Sequence, residues 1–543
     1  MNKNARLGLF VGVFLTLSAT LVKAASTEPT QSPASASSIP GFDIRALDRS
    51  VDPCSDFYKF ACGAWMAHNP IPPDQATWGR FNELAERTRS LLRDILEDAS
   101  QNKPGRGAAE QKAGDFYAAC MAEDVVNSRG LESLQPELDR IADIKELSEL
   151  PEALAHIHEV SSNALFKFES EQDFKDATQV IGVADQDGLG LADRDYYIKE
   201  DPKSQEIRRQ YVEHLIRMFE LLGDAAAQAS VQAQTVLAIE TALAQASMDR
   251  TKRREPANIY HKASLTDFSS STPSFDWRRY LLAIGAPPIS SLNVRVPEFF
   301  SGLENLLKSR PLEDWKTYLR WHLVHSQARL LPATFVEEDF RFFQKTLQGM
   351  KELRPRWKRC VALTDRSLGE ALGQAYVARA FPLDSKQHML ELVRNLEKAL
   401  EQDIARLPWM TAATKKKAAE KLRAMTNKIG YPDVWRDYGS VDISRDDALG
   451  NFQRAGRFEF PRVLRSPPVA PIAGCVELAT RIIKTMGKFM ADHRSDGAVI
   501  DGVVHGRIEE RRLEYAGRKV DVVLLGVIIR IDRGRSHIPF RLV

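Results

Sequence analysis

Cysteine and histidine are scarce in this chain. Its 543 residues hold 11 histidines and five cysteines, Cys54, Cys62, Cys120, Cys360 and Cys475. Five is an odd number, so at least one thiol is left over or pairs between chains. No His-Glu-x-x-His occurs, which excludes the usual helical zinc-peptidase pair of histidines at i and i+4. No Gly-x-Ser-x-Gly occurs either, which removes the serine-hydrolase elbow. Excess charge is small: a net +2 gives no reason to expect a nucleic acid or an acidic membrane surface as partner. There is no internal repeat, and past the amino terminus no apolar run is long enough to span a membrane.

What is present is an ordinary globular composition, 43% hydrophobic and 27% charged, long enough for several domains and a large core. The amino terminus reads as a targeting segment. Lys3 and Arg6 supply positive charge, residues 7–22 are uncharged and mostly apolar, and Val22-Lys23-Ala24 ends in a small residue. Residues 1–24 therefore read as a secretory signal peptide cut after Ala24, with an uncleaved anchor as the rival reading. No cysteine lies near the cut, so no lipoprotein anchor is expected, and cleavage leaves no stable membrane anchor. Residues 25–40, rich in Ser, Ala, Pro and Thr, read as a flexible linker. The expected destination is periplasmic or extracellular, where disulfides persist.

From about residue 80 to 430 the pattern is helical. Phe81, Leu84, Leu91, Leu92 and Ile95 recur at three-to-four spacing, as do Met389, Leu392, Val393, Leu396, Leu400, Ile404 and Leu407. Thr411 can cap a following helix over 412–428, with Gly430 and Pro432 as its stop. Residues 188–197 and 268–275 read as loops. After about 460 the character changes. All eight tryptophans precede Pro461, the tail 461–543 carries 12 Arg against 3 Lys, and residues 519–531 form a β-prone apolar run. Two readings of the tail stand: a small β-rich module, or a segment out of register with the original reading frame or joined from elsewhere, the second being favoured.

Several separated motifs carry a resemblance. They are Asp52-Pro53-Cys54-Ser55-Asp56-Phe57-Tyr58 through Cys62-Gly63-Ala64-Trp65; Asn69-Pro70-Ile71-Pro72 followed by Trp78-Gly79-Arg80-Phe81; and Gly188-Leu189-Gly190-Leu191-Ala192-Asp193-Arg194-Asp195-Tyr196-Tyr197. Arg253-Arg254-Glu255-Pro256 with Tyr260, and Leu407-Pro408-Trp409 through Gly430-Tyr431-Pro432, complete the set. Over residues 41–460 the chain resembles the amino-terminal part of the neprilysin-like (M13) zinc metallopeptidases. The resemblance implies a mainly α, two-lobed scaffold: a large helical lid, and a zinc lobe to which the Cys54–Trp65 segment is normally pinned. In the family that lobe supplies an Asn-Ala-Tyr-Tyr strand, a His-Glu-x-x-His helix and a downstream Glu ligand. Two histidines on one helix face bind zinc, and the intervening Glu takes a proton from the metal-bound water. No such strand or helix follows residue 460 here, so the zinc lobe reads as incomplete, with no catalytic residue, no metal ligand and no cofactor expected in this chain.

No other histidines offer a replacement. His156 and His158 point apart on a helix, and His322 and His325 share a face but have no acid within a turn to complete a site. The resemblance further implies a Cys120–Cys360 disulfide, and leaves Cys54, Cys62 and Cys475 unpaired. In neprilysin-like members an arginine just before the Trp-Gly motif helps bind the substrate's terminal carboxylate. Thr77 stands there in this chain, and Arg80 is the candidate replacement. The expected function is that of a zinc metalloendopeptidase acting on oligopeptides, inherited by a chain without its catalytic segment. The alternatives are a secreted peptide-binding or decoy protein, and a non-functional product of a disrupted gene. Peptides are the one partner class expected.

Overall fold

The computed structural model describes residues 43–160, 164–176, 179–464, 512–515 and 518–521. The signal-peptide and linker segments, Cys475, and the apolar run past Asp521 lie outside these residues. Contacts divide the chain into two compact units, one ending at Pro70 and one beginning at Ile71.

In the first unit the motif around Cys54 builds the start of a helix. Asp52 accepts hydrogen bonds from the amide of Cys54 (3.1 Å) and the hydroxyl of Ser55 (2.9 Å). Asp56 then caps the helix Phe57–His68 by accepting from the Lys59 amide at 2.9 Å. Gly63 lets this helix press on Asp48, since a Cβ there would lie 2.8 Å from the Asp48 Cβ.

Among its described residues the second unit is helical around one large core and three smaller ones. Leu92, Ile95, Leu96 and Ala99 form the buried stripe of helix Arg80–Ser100. Helix Ala108–Met121 packs against that stripe, and its Gly114 meets the Ala99 carbonyl so closely that a Cβ would be 2.2 Å away. Helix Arg356–Ser367 completes this cluster through Cys360 and Val361. The main core gathers Tyr211, Trp277, Tyr280, Phe300, Trp315, Tyr318 and Trp321, all buried. Fully burying one such aromatic contributes on the order of 2–3 kcal/mol.

The helical expectation for 80–430 holds except at a four-stranded sheet, β1 Phe166–Gln172, β2 Val180–Gln186, β3 Lys262–Ser264 and β4 Ser291–Val294, in spatial order β1-β2-β4-β3. β1 and β2 pair antiparallel, β2 and β4 parallel, β3 and β4 antiparallel. The loop expected over 268–275 is also corrected. Its first half belongs to helix Leu265–Ser271, started by Ser264, whose hydroxyl accepts from the Asp267 amide at 3.0 Å. At 188–197 the loop ends in a short helix, Asp195–Ile198.

The helix over the 389–407 pattern runs Leu383–Arg406, yet only Ile404 is buried along it. Thr411 caps the next helix, Ala412–Arg423, by accepting from the Thr414 amide. That helix stops five residues short of 428, because Thr426 and Asn427 are poor helix formers and Asn427 bonds to Glu397 instead (2.9 Å). Helix Ala448–Leu464 packs on helix Leu150–Val160. In the tail, β5 Arg512–Tyr515 and β6 Arg518–Asp521 pair antiparallel. No helix among the described residues is long and apolar enough to cross a membrane.

Candidate functional site

The motif 188–197 is held by one buried carboxylate. Glu240, on helix Ala226–Ala246, has no exposed surface. It accepts hydrogen bonds from Tyr197 Oη (2.7 Å), Tyr211 Oη (2.9 Å), His322 Nε2 (3.0 Å), Trp321 Nε1 (3.2 Å) and the Gly190 amide (3.2 Å). Burial, reinforced by the Glu240 charge, drives both tyrosine hydroxyls well above their ordinary pKa, so they stay donors. Gly190 is required here: a Cβ would stand 2.0 Å from the Tyr211 hydroxyl.

A second buried network fixes the sheet. Arg253 donates to Asp185 through both terminal nitrogens, at 2.8 and 2.7 Å. Arg295 donates to Asp185 at 2.8 Å and to Glu171, and lies 3.3 Å from Glu169. Burial alone would raise the Asp185 pKa, but the two guanidiniums hold its carboxyl below the usual range. Tyr260 and Lys262 both donate to Asp173 at 2.7 Å. The Arg253 and Tyr260 motif is therefore built into the scaffold, as the 188–197 motif is.

The histidines face different partners and do not converge. His156 Nε2 meets Glu137 at 2.5 Å. His158 lies between the Tyr280 hydroxyl (2.7 Å) and the Ala164 carbonyl (2.8 Å). His322 serves Glu240, while His325 stacks on Trp321 at 5.0 Å, its pKa driven well below the ordinary value by burial and by neighbouring His322 and His214. Among the described residues no group of three or more His, Cys, Asp or Glu is placed to hold a metal ion. The donors among the described residues do not fit a catalytic zinc, which needs three converging protein ligands and an open position.

The charges left over lie next to the turn that precedes Thr77-Trp78-Gly79. The Pro73 carbonyl accepts from the amides of Lys351 (2.9 Å) and Glu352 (3.0 Å), which pins that turn to the segment before helix Arg356–Ser367. Lys358 bridges Asp74 (2.7 Å) and Glu86 (3.0 Å), and Arg89 also pairs with Glu86. Arg354 reaches only the Asp74 carbonyl (3.4 Å) and the Gln75 side-chain oxygen (3.5 Å). Arg359 donates to the Arg354 carbonyl at 3.1 Å. Burial lowers the pKa of both, with Arg89 beside Arg354 and Arg356 beside Arg359 adding repulsion.

Arg80 is half-exposed and pairs with Glu83 in its own first turn at 3.0 Å; Thr77 is exposed. Cys120 and Cys360 form a disulfide. Cys54 is an exposed thiol, and Cys62 lies half-buried on helix Phe57–His68. Sequence reasoning passed over Arg354 and Arg359. The available signal was four cations in six residues, Arg354-Pro355-Arg356-Trp357-Lys358-Arg359, directly before a cysteine.

Comparison with known proteins agrees with this architecture. The amino-terminal model of peptidase family M13 matches residues 53–432. Endothelin-converting enzyme 1 of Bos taurus is 29% identical over 451 residues, covering 78% of this chain and 59% of that protein. Neprilysin-3 of Drosophila melanogaster is 26% identical over 420 residues, 74% of this chain and 53% of that protein. The crystal structure of Mycobacterium tuberculosis zinc metalloprotease Zmp1 with an inhibitor is similar at a TM-score of 0.73 and 34% identity, covering 79% of this chain and 65% of that one. PepO from Lactobacillus rhamnosis, 18% identical, shares the fold at a TM-score of 0.65. The chain thus spans about three-fifths of the length of the relatives it matches, 59% of the bovine protein.

Proposed function

The chain belongs to peptidase family M13, and from that premise we propose that it carries the helical, peptide-handling part of an exported neprilysin-like zinc endopeptidase acting on oligopeptides. Residues 41–460 are that part in this reading, 1–24 and 25–40 are signal peptide and linker, and 461–543 are a divergent tail. The hydrolytic step belongs to a zinc-binding segment that these 543 residues do not contain. One observation carries the proposal: the family model spans 53–432, yet the sequence has no His-Glu-x-x-His, and among the described residues no three His, Cys, Asp or Glu are grouped to hold a metal.

The test is direct. The purified, oxidised chain is assayed for bound zinc and for cleavage of oligopeptides with and without a chelator. The expected result is no stoichiometric zinc and no cleavage, with peptide binding retained. Chelator-sensitive hydrolysis by pure protein would overturn the proposal. A peptide-binding or decoy role is the second reading, favoured by the intact disulfide and closed core of the helical part. Reading the gene's other two frames past Arg462 separates it from a disrupted gene, for which a shifted His-Glu-x-x-His is the signature.

A further inference from the structure

We propose that the π-helical segment Phe340–Thr346, gripped by His214 and His325, is an acid-released latch. Its opening frees the connector at residues 347–355 and the turn at Pro73 that the connector holds. The latch needs neither zinc nor peptide.

His214 stands on helix Pro202–Leu221 and has no exposed surface. Its ring lies flat against Phe342 (5.0 Å, 16°) and edge-on to Phe343 (5.2 Å, 89°) and Trp321 (5.5 Å, 80°). His325, on helix Leu312–Gln327, closes the other side, 4.6 Å from Phe343 and stacked on Trp321. Phe342 and Phe343 belong to the π-helix, so two histidines hold that segment through its own rings. Seven residues of π-helix are an uncommon stretch of backbone, and this aromatic packing is what maintains it. From there a short chain of bonds leads outwards. The carbonyls of Gln344 and Lys345 accept from the amides of Met350 and Gly349, each at 3.1 Å, and the next two amides, Lys351 and Glu352, hold the Pro73 carbonyl.

The grip holds only while the rings are neutral. His214 Nδ1 meets the Glu338 carboxylate at 2.7 Å, so that nitrogen carries the proton of the neutral imidazole. His214 Nε2 and His325 Nδ1 have no hydrogen-bond partner among the described residues. A proton added there puts a charged donor into an aromatic site with no acceptor. Nearby acids are already engaged. Glu338 and Asp339, on helix Ala333–Asp339, face Arg217 from the His214 helix, Arg341 from the π-helix and Arg329 from the turn Ala328–Leu330. His322, one turn from His325, serves Glu240. Burial lowers the pKa of both His214 and His325, so the closed state binds fewer protons than the open one, and acid favours opening below the ordinary histidine pKa of about 6.5. Asp339 works in the opposite sense: burial raises its pKa, and acid relieves its charge in the closed state. Two histidines against one carboxylate leave a net uptake of one proton on opening.

The experiment is hydrogen–deuterium exchange of the full, oxidised chain at pH 7.5 and 5.5, read by peptide mass spectrometry and corrected for intrinsic rates. The reporters are residues 340–352 and 72–76, and the reference is 92–99 in the buried stripe of helix Arg80–Ser100. One proton gained on opening changes the opening constant about tenfold per pH unit below about 6.5. The reporters are therefore expected to exchange roughly tenfold faster at pH 5.5, relative to the reference. His214→Gln keeps a donor for Glu338 and takes up no proton, so most of that acceleration disappears. A merely destabilised variant opens more, not less, so poor folding does not imitate this loss. Equal acceleration of reporters and reference, or an undiminished acid response in His214→Gln, overturns the latch. If His214→Gln is already open at pH 7.5, His214→Phe, which keeps a stacked ring, takes its place, and an undiminished response there overturns the latch equally.

Discussion

Cys120 is joined to Cys360 across 240 residues, their Cα atoms 5.6 Å apart. The bond links helix Ala108–Met121 to helix Arg356–Ser367 inside the cluster of Leu92, Ile95, Leu96, Tyr117 and Val361. A crosslink over so long a loop restricts the unfolded ensemble, a contribution of roughly 5 kcal/mol on chain-entropy grounds. Reduction, or Cys120→Ser combined with Cys360→Ser, is expected to lower the unfolding free energy by about 2–5 kcal/mol in urea titrations. An unchanged midpoint with and without reductant would show that the link does not stabilise the fold.

Glu240 gathers four side-chain donors and one amide, so its removal strands all of them in a dry core. Glu240→Ala is expected to cost about 3–5 kcal/mol, the usual penalty for breaking a buried charged network. Glu240→Gln keeps the shape and one acceptor but turns an NH₂ toward donors, so its cost is smaller. Gly190→Ala falls with Glu240→Ala, since its Cβ drives into the Tyr211 hydroxyl. Equilibrium denaturation of the three variants checks the order; Glu240→Ala within about 1 kcal/mol of wild type would sink it.

The helices were legible because their apolar residues keep a 3.6-residue period, as over Leu92, Ile95, Leu96 and Ala99. The sheet was not. β1 reads Phe-Lys-Phe-Glu-Ser-Glu-Gln and β2 is buried over most of its length, so neither gives a long alternating signal, and β3 and β4 have three and four residues. β2 pairs with β4 across 110 residues, Gly182 opposite Leu292, and no local pattern records that pairing. The motifs located the family correctly, and they read as scaffold from the sequence; the coordinates add their partners, Tyr197 donating to buried Glu240 and Arg253 to Asp185. Arg354 and Arg359 escaped notice because what marks them is the lack of an ion pair among the described residues, which a sequence does not display.

Deleting residues 465–543 is expected to leave the helical signal and a cooperative melt nearly intact. Among the described residues, the buried clusters close on one another with residues up to Leu464. The deleted part includes the β-prone run 520–531, without proline and nearly uncharged, which makes the shortened chain the more soluble of the two. Far-ultraviolet circular dichroism and sedimentation of both proteins test this. Loss of helicity or of a sharp transition on deletion would instead make the tail an integral part of the fold.

Acid should destabilise this protein in two steps, the first governed by buried histidines. His158 is fixed in a neutral form: Nε2 faces the Ala164 carbonyl, which only a ring N–H can satisfy, and Nδ1 faces the Tyr280 hydroxyl. Burial lowers its pKa to about 4, and burial also lowers those of His214 and His325. A histidine whose folded pKa lies below its unfolded value of about 6.5 binds fewer protons when folded. Its contribution is therefore fully present above pH 6.5 and is lost as pH falls from about 6.5 towards about 4. The His158 shift alone corresponds to roughly 3 kcal/mol across that window. The second step lies lower. Against the opposing effect of burial, Arg341 and His214 hold Glu338 at about 2, so its contribution is present above about 4.5 and disappears as pH drops towards 2. Urea midpoints measured from pH 7.5 to 4.5 are expected to fall steadily, and His158→Gln to flatten part of that fall while lowering stability at pH 7.5. A flat profile over this range, or an identical slope in His158→Gln, would refute the assignment.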